Sequence, residues 1–161
     1  MSFDFDVISA KFNKKIDNFL DGLSYHPDTL GVAVSGGSDS LSLLYLIDAW
    51  SNKKNLKIVI LTVDHNLRNG SADEALYVGE LCNKLGLIHK TLFWDHEDIE
   101  GNLSASAREA RYRLMQNSIP SDAILITGHT LDDQAETFLM RLRRGSGAVS
   151  YTHLRAHETA S

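Results

Sequence analysis

An α/β fold, a mainly parallel sheet with helices on both faces, is what this sequence predicts, and three observations predict it. Strand-like and helix-like patterns alternate strictly from residue 31 to residue 145, the order a parallel sheet needs because each strand must return through a crossover. The segment KIVILTV at 57–63 is apolar without alternation and rich in β-branched residues, the mark of a strand covered on both faces. Between such segments lie stretches with apolar residues at helical spacing.

Taken in order, residues 7–23 carry Val7, Ile8, Phe12, Ile16, Phe19, Leu20 and Leu23 as one apolar stripe with lysines opposite, which predicts a first helix. HPDTL breaks that pattern, and Gly31–Ser35 reads as a short buried strand. LSLLYLIDAW is helical, followed by the strand at 57–63. Ser71 and Glu74 form a capping-box signal for a helix through ALYVGELCNKLG, with Gly86 as its stop. LIHKTLFW is a third strand, LSASAREARYRLMQN a third crossover helix, AILITG a fourth strand, and TLDDQAETFLMRLRRG a final helix ending at Gly145.

Bulk properties exclude several classes. A chain of 161 residues that is 43% hydrophobic fits one domain with a sizeable core, since chains of about 150 residues bury roughly two-thirds of their unfolded surface. The start, MSFDFDVISAKFNKK, has no apolar segment of signal-peptide length, and no run approaches a membrane span, so a cytoplasmic protein is expected. The single cysteine, Cys82, rules out an internal disulfide or dithiol chemistry within this chain and is expected in the core. A formal charge of −5 argues against general nucleic-acid coating, without excluding a local basic patch.

In sheets of this kind ligands sit beyond the carboxyl ends of the strands, which singles out residues 35–40, 64–68 and 128–136. The first is the most telling. A strand that turns through Gly36 and Gly37 into a helix aims backbone N–H groups and the positive end of the helix dipole at one spot, which suits a phosphate. The glycines allow close approach and positive φ, while Ser35, Ser38 and Ser40 offer hydroxyls. Neither of two familiar phosphate loops applies: the lysine of one and the glycine spacing of the other are missing. Ser38 or Asp39 could instead simply cap the helix. An acid beside a phosphate is repulsive unless a cation lies between them, so Asp39 points to a magnesium-bound polyphosphate.

The motif AVSGGSDSLSLL resembles the pyrophosphate-binding loop of the N-type ATP pyrophosphatases, the PP-loop superfamily. Within it, TVDHNLR at 62–68, AREARY at 107–112 and GHTLDDQAETFLMRLRRGSG at 128–147 are similar to the tRNA(Ile)-lysidine synthetase family. The resemblance covers roughly residues 28–147 and implies an adenine nucleotide alpha hydrolase-like fold. It also implies the reaction: ATP adenylates the wobble cytidine of an isoleucine tRNA, and lysine is then joined at carbon 2, releasing AMP. It implies ATP and Mg²⁺ as cofactors, and lysine and isoleucine tRNA as partners, with a homodimer left open.

On this reading Ser35, Gly36, Gly37, Ser38, Asp39 and Ser40 bind the nucleotide, with Asp39 also at the metal. Asp133 and Glu136, three apart, would share one face of the final helix; the resemblance carries them to lysine recognition, with a metal as the alternative. Arg108 and Arg111 share a helix face, and the match favours Arg111 for a phosphate or RNA contact. The catalytic set expected is therefore Asp39, Arg111, Asp133 and Glu136. His65 and His129 follow strands but are read as structural. Alternatives are an inactive truncated ATP-binding fragment, or another PP-loop tRNA-modifying or amidating enzyme; a lone mid-helix Cys82 disfavours thiolation. After RRGSG the resemblance stops, so residues 1–147 are expected to be an incomplete domain lacking its fifth strand and the C-terminal domains. Residues 148–161 would be a non-native tail, and the fourth strand would keep an open edge.

Overall fold

The computed structural model describes residues 5–64, 70–94, 103–131 and 134–141. In chain order the elements are α1 (Phe5–Asp21), β1 (Thr29–Ala33), α2 (Ser38–Ser51), β2 (Lys57–Asp64), α3 (Ser71–Leu85), β3 (Ile88–Phe93), α4 (Leu103–Ser118), β4 (Ile124–Leu131) and β5 (Gln134–Arg141). The strands form a sheet in the order β3-β2-β1-β4-β5. The first four are mutually parallel, and β5 is antiparallel to β4.

The two faces of the sheet are separate cores. Successive side chains of a strand point to opposite faces, and here Ile58, Ile60, Ile124 and Ile126 pack with Leu43, Leu44 and Ile47 of α2 and Val78 and Cys82 of α3. Their strand neighbours Val59, Leu61, Val63 and Leu125 pack instead with Met115 of α4 and with Ile119, the residue that follows that helix. This distribution follows from the crossover rule. The chain steps from β1 to β2 to β3 in one direction, which puts α2 and α3 on one face; it then steps back across β1 to β4, which puts α4 on the other. The reversal leaves a crevice between the carboxyl ends of β1 and β4.

Helix α1 lies on the α2 side. Ile16 is buried and Phe12, Phe19, Leu20 and Leu23 pack against that core, whereas Val7 and Ile8, part of the expected stripe, are exposed. Asp17 on α1 accepts hydrogen bonds from Trp50 Nε1 at 2.9 Å and Lys54 Nζ at 2.7 Å, and the Lys54 ammonium holds its carboxyl below the usual range. Cys82 is fully buried, as expected, and burial pushes its thiol up to about 11. Among the described residues no helix is long and apolar enough to cross a membrane.

Of two local expectations at the ends of α3, one is corrected and one holds. Ser71 does not cap α3: Gly70 does, at φ 101°, and the Ser71 hydroxyl donates to Asp64 Oδ1 at 2.6 Å. A buried carboxylate at the end of β2 is a stronger acceptor to satisfy than a solvated helix end. Gly86 does end the helix, in the left-handed conformation at φ 72°, with the Leu87 N–H returning to the Cys82 carbonyl at 2.9 Å.

The larger correction concerns residues 130–145. The expected helix is absent from 134–141, which form β5, paired with β4 from Leu131↔Gln134 to Ile124↔Arg141. The expectation of an open β4 edge fails with it; the strand expected after residue 147 and the tail at 148–161 lie outside the described residues. A central parallel strand with one open edge presents a full row of backbone donors and acceptors, and satisfying that row outweighs the helical propensity of QAETFLMR, a preference of only tenths of a kcal/mol per residue.

Gly31 tests how tightly this sheet is covered. A β-carbon there would lie 2.9 Å from Ile119 Cδ1 and 3.4 Å from both Leu61 Cδ1 and Leu125 Cδ1. The tip of Ile119 can swing aside for one methyl, so Gly31→Ala should be tolerated. Gly31→Val should cost about 1–3 kcal/mol through overpacking, read as a lower urea midpoint at unchanged slope; an unchanged midpoint would show that α4 packs less closely than this.

Candidate functional site

The loop between β1 and α2 is built by its own hydroxyls. Ser40 is buried at 6% exposure; its Oγ donates to the Gly37 carbonyl at 2.9 Å and accepts from the Ser35 N–H at 3.2 Å, while Ser35 Oγ lies 3.2 Å away. Ser40 therefore braces the turn from inside, and Ser35 and Ser38 are the exposed hydroxyls of the loop. Gly37 is the N-cap residue of α2 with no side-chain cap, so the capping alternative for Ser38 and Asp39 does not hold. The first turn of an α-helix has no intrahelical acceptors for its N–H groups, and here that turn opens beside the β1 end.

The two glycines do different work. Gly36 sits at φ 91°, with a β-carbon position 3.4 Å from Glu74 Cβ and 3.7 Å from Val78 Cγ2 of α3. Gly37 is extended at φ −72°, so only Gly36 meets the expectation of positive φ. Gly128, at the far side of the crevice, comes within van der Waals reach of α2: its β-carbon position is 3.5 Å from Leu43 Cδ2 and 3.9 Å from the Asp39 carbonyl. The β4 end and the glycine loop are thus brought together.

Between them and α4 lies a cavity of about 130 Å³, lined among others by Ser35 and Ser40 of the loop, Val63 of β2, Arg111 and Met115 of α4, and Thr127 of β4. Two of its polar atoms stand out. Arg111 Nε and Thr127 Oγ1 are buried and have no hydrogen-bond partner among the described residues, a costly condition that a bound group with acceptor oxygens would relieve. A guanidinium donates only, and beside a loop shaped for phosphate an acceptor oxygen is the matching chemistry.

Of the residues the sequence singles out, the cavity brings Ser35 and Ser40 together with Arg111, and it adds Thr127, Met115, Val63 and Gly128 to them. Thr127 could have been noticed as the one polar residue closing the apolar run AILI; in the structure it pairs with Ala33, the last residue of β1. Arg108 lies three residues before Arg111 on α4. Glu136 falls in β5, opposite His129 of β4, so the shared helix face expected of Asp133 and Glu136 does not form; the pairing that satisfies the β4 edge puts Glu136 in a strand instead. Asp133 and His65 lie outside the described residues.

Comparison with known proteins agrees with this geometry. The family model of the PP-loop domain matches residues 8–161. The chain is 48% identical over 142 residues to a tRNA(Ile)-lysidine synthase of Orientia tsutsugamushi (strain Boryong), covering 87% of this chain and 32% of that protein. It is 42% identical over 143 residues to a tRNA(Ile)-lysidine synthase of Rickettsia bellii (strain OSU 85-389), covering 88% and 33%. The chain thus spans about a third of the length of these relatives. Among solved structures it is similar to a U34-tRNA thiolase of Methanococcus maripaludis, with a TM-score of 0.60 at 18% identity over 80% of this chain and 47% of that one, a likeness of fold. With a strand, glycine turn and helix on a sheet of this order, and with a match over residues 8–161, the chain belongs to the PP-loop domain family.

Proposed function

We propose that this chain is the ATP-using domain of a tRNA(Ile)-lysidine synthetase, which joins lysine to carbon 2 of the wobble cytidine of an isoleucine tRNA. The observation that carries the reading is the glycine loop opening onto a cavity in which Arg111 Nε and Thr127 Oγ1 lack partners. Support for the substrate comes from relatives that bear the name of that enzyme.

In this mechanism Ser35, Gly36, Gly37 and Ser38 hold the pyrophosphate end of ATP, through hydroxyls and backbone N–H groups, while Ser40 keeps the turn in shape. Asp39, exposed in the first turn of α2, suits Mg²⁺, which takes one or two carboxylates together with phosphate oxygens; the ion, when bound, neutralises phosphate charge. Arg111 stabilises the charge at the α-phosphate as the cytosine oxygen displaces pyrophosphate. The lysine amine then attacks carbon 2, the bond from carbon 2 to the adenylated oxygen breaks, and AMP leaves with that oxygen. Asp133 and Glu136 hold the lysine substrate, and the reaction takes place in the cytoplasm. Cys82, buried and with its thiol raised, does not suit a sulfur-transfer role.

The test is a chimera in which residues 8–141 replace the matching part of the Orientia relative. AMP formation should require both isoleucine tRNA and lysine. Asp133→Ala and Glu136→Ala should weaken lysine use about tenfold or more with ATP affinity nearly unchanged, because each removes a partner for a cation worth ~1.5 to 3 kcal/mol. Lysine-independent AMP formation would refute the substrate, and normal lysine kinetics in both variants would refute their role.

A further inference from the structure

We propose that Thr127 is a binding residue for the nucleoside monophosphate half of the nucleotide, its hydroxyl making with the ligand the hydrogen bond that the described chain does not supply. The inference rests on the nucleotide reading above and assigns one more residue to it. Thr127 is 4% exposed, its Oγ1 is buried without a partner among the described residues, and it lines the same cavity as Ser35 and Arg111.

For the fold alone, valine would be the better residue. Ile124, Leu125 and Ile126 before it are all buried, and an unmade hydrogen bond in such a place is destabilising where a methyl of the same shape is not. A local rule broken where β4 passes the last residue of β1, at the border of a ligand crevice, marks a functional position.

The half of the ligand follows from the face. Strand side chains alternate, so Thr127 shares the face of Leu125, which packs with Met115 of α4 and with Ile119 just after that helix. The glycine loop leads into α2, whose Leu43, Leu44 and Ile47 belong to the core on the other face. The loop takes the pyrophosphate end; Thr127 and Arg111 therefore meet what extends toward α4. Val63 and Met115 there offer apolar surface for a base, and the hydroxyl and the guanidinium meet ribose or α-phosphate oxygens.

The experiment uses the whole 161-residue chain and three probes, AMP, pyrophosphate and Mg·ATP, titrated by calorimetry into wild type, Thr127→Val and Thr127→Ser, with thermal unfolding of the ligand-free proteins. Thr127→Val should lower AMP and Mg·ATP affinity about tenfold, the effect of one hydrogen bond, leave pyrophosphate affinity unchanged, and raise the melting temperature. Thr127→Ser, which keeps the hydroxyl, should bind AMP like wild type. Equal AMP affinity in wild type and Thr127→Val would overturn the proposal, as would a parallel loss of AMP and pyrophosphate binding with a lowered melting temperature, the signature of a structural role. Wild type that binds neither AMP nor Mg·ATP would instead defeat the nucleotide reading itself.

Discussion

Gly36→Val is expected to abolish Mg·ATP binding, while Gly37→Ala, one residue on, is expected to leave the loop backbone in place. At φ 91° a β-branched residue is a genuine outlier, and left-handed conformations cost L-residues roughly 1–2 kcal/mol before any contact is counted. The valine would also press on Glu74 and Val78 of α3, whose atoms already lie at contact distance from a single added carbon. The loop must move, and with it the N–H groups of the first turn of α2, which the proposed function assigns to the phosphate. At Gly37 the φ of −72° is one any residue adopts, and the nearest atom to an added carbon is Ser35 Oγ at 3.7 Å. Asp39→Ala should also abolish binding in the presence of Mg²⁺. Calorimetry showing equal affinity in wild type, Gly36→Val and Asp39→Ala would sink the phosphate-loop reading.

Arg111→Met should cut AMP formation about ten- to a hundredfold, since a hydrogen bond to a charged group is worth ~1.5 to 3 kcal/mol. Stability should not fall, because the methionine replaces a buried Nε that has no partner among the described residues and keeps most of the apolar stem. Arg111→Lys keeps the charge and loses the planar fork, so it should recover little. Wild-type rates of AMP formation in both variants would remove Arg111 from the site, and full recovery in the lysine variant alone would show that charge without geometry suffices.

Much of this site was legible in one dimension. The alternation of continuous β-branched runs with helical stripes predicted the four parallel strands and placed residues 35–40 at a carboxyl edge, because burial on both faces leaves its mark in each strand separately. Cys82 in the core and Gly86 at a helix end are local facts of the same kind. Val7 and Ile8 were misassigned since periodicity shows that a face is apolar, without showing how far the neighbouring helix reaches.

What the sequence by itself determined is therefore whatever a short segment decides from its own residues: strand against helix in the well-covered elements, the presence of a glycine turn, the chemistry on offer beside it. The tertiary structure decided the rest. Gly36 rather than Gly37 takes the positive φ where the loop passes over Glu74 and Val78, residues some forty positions away. Residues 134–141 became β5 because the open edge of β4 is a property of the assembled sheet, and backbone groups without partners there outweigh a weak helical preference. Arg111 and Thr127 share one cavity only because the chain reverses its direction across β1, carrying α4 to the opposite face and β4 to the neighbouring edge.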